Sequence, residues 1–250
     1  GCQLPCLWSL TPGETDIQIL GEFTSQFRDL ETPDIYVSTR DFNDVGGFTL
    51  IHRENNIHIN VNFGYSKDKE GKVEMLALSG HAMQEKGKDL DWKSSDLTPL
   101  YGDKSFNQAF AYYLLPQLLS NYGRPSQVLL RPFLVDPQRP DIQWQPFSLV
   151  LFYPEQGIFV EYVSPRETAG GNYVGCPSKA SISVAAWNPE NSLALKDVVQ
   201  KAGSQINELN MDNYKPMEEA TSITLDEFYE TFKNPGHTAC LETPQTLWQP

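Results

Sequence analysis

Two apolar alternations, each folded back on itself, constrain this chain more than any other feature. Phe48-Thr49-Leu50-Ile51-His52 leads through Asn55-Asn56 into Ile57-His58-Ile59-Asn60-Val61-Asn62-Phe63. Apolar residues at every second position mark a strand with one covered face. A two-residue Asn-Asn turn sets the register and opposes Leu50 to Val61 and Phe48 to Phe63. Phe48, Leu50, Ile59, Val61 and Phe63 are then predicted on the buried face, and Thr49, Arg53, His58, Asn60 and Asn62 on the other. The second alternation runs from Phe147 to Tyr153, turns at Pro154-Glu155-Gln156-Gly157 and returns from Ile158 to Val163. Pairing Tyr153 with Ile158 gathers Leu149, Leu151, Val160 and Tyr162 on one face, and leaves Val150, Phe152 and Phe159 beside Glu161 on the other.

A short repeat precedes each hairpin. Ser9-Leu10-Thr11-Pro12 recurs as Asp96-Leu97-Thr98-Pro99, and each copy leads into a stretch of helical periodicity. In the first copy Thr15 reads as the N-cap of a helix from Asp16 to Asp29, with Ile17, Leu20, Phe23 and Phe27 at helical spacing. In the second, Ser105 reads as the cap of a run through Phe106, Phe110, Leu114 and Leu118 that ends at Gly123, with Pro116 kinking or dividing it. Further strands are predicted at Lys72 to Leu78, Gln127 to Arg131 and Ser181 to Trp187, with Ser79-Gly80-His81 as a turn and Gln84 to Ser95 as a polar linker. Helices are predicted at Ser192 to Ile206 and Leu225 to Phe232, the latter opened by a Thr224/Glu227 capping box. The fold class is α+β: two tandem units of helix packed on an antiparallel meander, with a C-terminal helical extension. The expected bounds are an N-terminal tether at 1–9, units at 10–95 and 96–190, and the extension and tail at 191–250.

At 250 residues the chain is long enough for one large core or two small ones. Its formal net charge of −13 argues against a nucleic-acid groove and against electrostatic docking on anionic lipid. No apolar run is long enough to span a bilayer. No CxxC pair, EF-hand loop, GxGxxG or Walker loop occurs, and no Gly-x-Ser-x-Gly elbow, so no cofactor or metal is expected. His52 and His58 fall on opposite faces of their hairpin and cannot share a metal, while a Cys240–His237 nucleophile pair competes poorly with a disulfide.

Cys176 and Cys240 lie in Gly- and Pro-rich loops, and the plain reading is a disulfide tying the C-terminal tail to the body, with two buried thiols as the alternative. Gly1-Cys2 is like the end of a bacterial lipobox, which makes Cys2 a candidate lipid anchor; Cys2 paired with Cys6 is the competing reading. Either way an exported protein is expected.

The run Leu4-Pro5-Cys6-Leu7-Trp8-Ser9-Leu10-Thr11-Pro12-Gly13-Glu14-Thr15 after Gly-Cys, the helix exit Asn121-Tyr122-Gly123-Arg124-Pro125-Ser126-Gln127-Val128 and the paired hairpins together resemble bacterial exported lipoproteins of tandem small α+β units. These are of the kind seen in β-lactamase-inhibitor protein and BamE/SmpA-like domains. The first copy departs from this pattern, with Leu30-Glu31-Thr32-Pro33-Asp34 in place of a Gly-x-Pro-Ser exit. The resemblance implies a non-enzymatic binding or adaptor role toward another envelope or extracellular protein, with membrane attachment only through an N-terminal lipid. The polar face of the first hairpin (Thr49, Arg53, His58, Asn60 and Asn62) is the candidate protein-binding face. The alternatives are an extracytoplasmic hydrolase using dispersed carboxylates and a structural envelope component.

Overall fold

The computed structural model describes residues 3–28, 30, 32–42, 45–54, 56–85, 97–133, 146–202, 213–234 and 239–248. In chain order the elements are α1 (Ile17–Arg28), β1 (Ile35–Phe42), β2 (Val45–Glu54), β3 (Ile57–Lys67), β4 (Val73–Glu85), β5 (Leu97–Leu100), α2 (Lys104–Ala109), α3 (Leu115–Tyr122), β6 (Gln127–Pro132), β7 (Pro146–Tyr153), β8 (Ile158–Ala169), β9 (Asn172–Gly175), β10 (Ser181–Trp187), α4 (Leu195–Ala202), β11 (Lys215–Pro216), α5 (Met217–Ala220), α6 (Leu225–Phe232) and β12 (Leu241–Pro244). The chain is α+β, with extensive antiparallel sheet. It divides into two compact units that are not consecutive in sequence. The first comprises Gly1–Leu100, Pro154–Phe159 and Ser183–Leu209; the second comprises Tyr101–Tyr153, Val160–Ile182 and Asn210–Pro250.

In the first unit β1, β2, β3 and β4 form an antiparallel meander, with β5 bonded to the far end of β4. The β2–β3 register opposes Leu50 to Val61 and Phe48 to Phe63, and the turn falls between Glu54 and Ile57, with Asn56 at φ 87°. Asn55 and the expected linker from 86 to 95 lie outside the described residues. α1 lies on the face that carries Phe48 and Phe63: Phe27 stacks on Phe48 at 4.3 Å and Phe23 meets Phe63 edge-on at 5.9 Å. Leu20 is fully buried beneath the same helix. The cap of α1 is Asp16 rather than Thr15, because Asp16 Oδ1 accepts from Gln18 N at 2.9 Å while Thr15 Oγ1 is taken by Thr11 N. β4 is a continuous strand through Ser79-Gly80-His81, not a strand ending in a turn: β3 supplies cross-strand partners to all three, Gly80 opposing Val61.

In the second unit β8, β7, β6 and β11 are neighbours in that order, β9 pairs with β8, and β12 pairs with β9. Every residue of β7 is buried, so this strand is covered on both faces. Pro116 divides the expected long helix: α2 ends at Ala109 and α3 begins at Leu115, with the proline in its first turn. Asp103, not Ser105, caps α2, its Oδ1 accepting from Phe106 N at 2.8 Å. Gly123 ends α3 at φ 74°, and the Thr224/Glu227 capping box opens α6, with Phe228 and Phe232 buried. Two tyrosines tie strand to helix. Tyr162 Oη donates to the Tyr113 carbonyl at 2.8 Å, and Tyr153 Oη donates to the Gly123 carbonyl at 3.1 Å. Cys176 and Cys240 form a disulfide closing a 64-residue separation, next to the Gly175–Leu241 rung of the β9–β12 pair.

Candidate functional site

The polar face of the first hairpin is largely withdrawn from solvent. His58 is 1% and Asn60 8% exposed, so neither presents a docking group; Thr49, Arg53 and Asn62 are half-buried. The cause is cross-strand pairing. Thr49 Oγ1 donates to Asn62 Oδ1 at 2.8 Å, and Asn60 opposes His81 across the β3–β4 ladder. His81 is held below the ordinary histidine pKa by burial, which keeps its ring neutral. At the end of the hairpin Arg53, His58 and Glu85 form one group: His58 Nε2 contacts Glu85 Oε1, Arg53 Nε lies 3.2 Å from the same His58 nitrogen, and Arg53 Nη2 lies 3.4 Å from Glu85 Oε1. One ring nitrogen cannot donate to Glu85 and accept from Arg53 together; with Nε2–H donating to the closer carboxylate, Arg53 pairs with that carboxylate. The result is a pinned strand end.

The more unusual chemistry sits in the second unit. Glu161 on β8 is fully buried. Its Oε1 accepts from Ser148 Oγ at 2.7 Å and from Tyr214 Oη at 3.4 Å, and Tyr214 Oη donates to Ser148 Oγ at 2.9 Å. The ladder explains the meeting. β6 pairs Arg131 with Ser148, and β11 pairs Lys215 with Leu130, which brings Tyr214 alongside Arg131. The Arg131 guanidinium lies 4.0 Å from the centre of the Phe133 ring and 5.8 Å from that of Tyr214. Oε2 of Glu161 is buried and finds no hydrogen-bond partner among the described residues. Burial pushes the Glu161 carboxyl up to about 7, against the lowering effect of the Ser148 and Tyr214 hydrogen bonds and the Arg131 charge. Burial likewise raises the Tyr214 phenol and lowers Arg131. Sequence reading placed Glu161 beside Phe152 and Phe159 but assigned it no role; the signal was a single acid in the otherwise apolar run from Ile158 to Val163.

The geometry limits what these groups can do. Glu161 and Ser148 are both 0% exposed, and among the described residues no second carboxylate joins the Ser148–Glu161–Tyr214–Arg131 group. Among the described residues no cluster of three or more His, Cys, Asp or Glu could hold a metal ion. Cys240 is bonded to Cys176 and is not a free nucleophile; its expected partner in that reading, His237, lies outside the described residues. Cys6 is disulfide-bonded, while Cys2, the candidate lipid anchor, lies outside the described residues. Among the described residues no helix is long and apolar enough to cross a membrane. Comparison of the chain with protein-family models, curated proteins and solved structures finds no match.

Proposed function

We propose that this chain is an exported, non-enzymatic binding or adaptor module acting on another envelope or extracellular protein. The observation that carries the compartment is the Cys176–Cys240 disulfide, a bond that persists in oxidising environments. The oxidised state of Cys6 agrees with it. The non-enzymatic part is supported by the burial of Glu161 with Ser148 and of His58, whose ring faces Glu85 and not solvent. We also read the recurrence of Leu-Thr-Pro before each helix as the trace of a tandem origin. Of the two readings of Cys2, we take the pairing with Cys6 over the lipid anchor, because Cys6 is oxidised and Cys176 and Cys240 are bonded to each other.

The test is affinity capture with the soluble chain as bait against envelope extract of its own source, followed by cross-linking and mass spectrometry. One stoichiometric partner is the expected result, and no partner overturns the adaptor role. Intact mass of the protein taken from its own source without reductant checks this pairing. The bare mass of a chain with all four cysteines oxidised supports it, and a diacylglyceryl adduct on Cys2 overturns it.

A further inference from the structure

The buried carboxylate of Glu161 is reached from three elements, and one of them is very short. Ser148 belongs to β7 and Arg131 to β6, the inner strands of the run β8, β7, β6, β11. Tyr214 stands just before β11, which pairs with β6 through Lys215 and Pro216 alone. Proline has no N–H, so Lys215 supplies the one backbone donor of this two-residue strand. α5 follows at once as a single turn, with Met217 and Ala220 each 1% exposed. Tyr214 is 8% exposed, and its Oη, 2.9 Å from Ser148 Oγ and 3.4 Å from Glu161 Oε1, ties the segment to the sheet.

The other titratable groups of these elements are engaged elsewhere. On β7 and β8, Tyr153 bonds to the Gly123 carbonyl, Tyr162 to the Tyr113 carbonyl and Glu167 to Lys179, and Arg166 lies 4.3 Å from the Tyr173 ring centre. Lys215 lies 5.6 Å from the Trp248 ring centre, and Glu218 and Glu219 of α5 are exposed. β10 contains no titratable residue. Arg131 is the cation that acts on Glu161, and Oε2 of that carboxylate has no hydrogen-bond partner among the described residues.

An ionised carboxylate with one oxygen unpartnered and buried gains by reaching water. Ser148 and Arg131 sit in inner strands, so the cheapest opening that hydrates Glu161 is the lifting of the segment that carries Tyr214. Burial holds the Glu161 carboxyl at about 7 while the segment is closed, and hydration returns it toward 4.5. The closed form keeps a proton that the open form releases, so opening becomes easier as pH rises through this interval and no easier above it. Tyr214 stays protonated throughout, because burial raises its phenol.

We propose that residues 214–220 form a pH-released strap: ionisation of Glu161 lifts Tyr214, β11 and α5 while β6, β7 and β8 stay paired. Lifting carries Tyr214 off Ser148 and uncovers Glu161 and Arg131. The strap is independent of the adaptor reading and of any partner.

Hydrogen exchange of the intact, oxidised chain at about pH 5 and about pH 8, each across a series of low urea concentrations, tests this. Rates are divided by those of the unstructured chain at the same pH, and peptides covering 214–220 and β7 are followed by mass spectrometry. Opening of 214–220 is expected to rise at least roughly tenfold from the lower pH to the higher and to be insensitive to urea, whereas β7 exchanges through urea-sensitive global unfolding. In Glu161→Gln the opening of 214–220 is expected to change by less than about twofold between the two pH values. Tyr214→Phe keeps the ring and removes the tie, and is expected to raise opening at about pH 5 by roughly fivefold. Exchange of 214–220 that follows urea as steeply as β7 overturns the proposal, as does the wild-type pH rise in Glu161→Gln or an unchanged opening in Tyr214→Phe.

Discussion

Glu161 couples this fold to pH. Its carboxyl titrates near 7 in the folded chain because burial disfavours the ionised form, against an ordinary value of 4.5. Below about pH 4.5 the group is protonated both folded and unfolded, and its burial costs no charge. As pH rises toward 7 the unfolded chain releases the proton and the folded chain keeps it, so stability falls; above 7 both forms are ionised and the loss is complete. A raise of that size corresponds to a loss on the order of 3 kcal/mol. Glu161→Gln keeps the shape and cannot ionise. The stability of the variant relative to wild type, from urea unfolding at about pH 4 and about pH 8, is therefore expected to grow by on the order of 3 kcal/mol with rising pH. A difference that stays constant would show that Glu161 is not the titrating group.

The turns that join the elements divide by what surrounds them. Gly157, between β7 and β8, lies at φ 65°, and a Cβ there would fall 2.1 Å from the Trp187 carbonyl oxygen. Trp187 N also donates to the Gly157 carbonyl at 3.0 Å, so the approach is held on both sides. Gly170, in the β8–β9 turn, also has positive φ, at 59°, yet nothing would meet its Cβ. Gly157→Ala is expected to cost more than about 2 kcal/mol, because the strand partner must move. Gly170→Asn is expected to cost about 0.5 kcal/mol or less, since asparagine tolerates the left-handed region at a hairpin turn. Urea midpoints of the two variants check the contrast, and equal losses would mean that left-handed geometry alone sets the cost.

Across the whole molecule the disulfide is the longest covalent closure among the described residues. Cys176 and Cys240 are 64 residues apart, and the bond anchors β12 against β9. Closing a loop of that length removes unfolded-state freedom worth about 4 kcal/mol. The double variant Cys176→Ala/Cys240→Ala is expected to melt roughly 10 °C below the parent. Calorimetry without reductant measures this while leaving Cys6 oxidised, and an unchanged melting temperature would show that the β9–β12 ladder holds the tail unaided.

Features whose cause lies within a few residues were readable from the sequence alone. The β2–β3 register follows from a two-residue turn and period-two alternation, β10 from its apolar run, the division at Pro116 from a missing N–H, and the α6 cap from Thr224 and Glu227. The Cys176–Cys240 disulfide, expected from two cysteines in Gly- and Pro-rich segments, is present. What depended on partners distant in the chain was not readable. β1, β5, β9, β11 and β12 are short or edge strands whose pairing is decided by neighbours, and β4 runs through Ser79-Gly80-His81 because β3 supplies its hydrogen bonds. His58 and Asn60 are polar by sequence and buried by tertiary packing. The pKa of Glu161 depends on Tyr214, 53 residues away, and on Arg131 two strands across. Alternation tells which side chains share a face, whereas only the folded layers decide which face meets water.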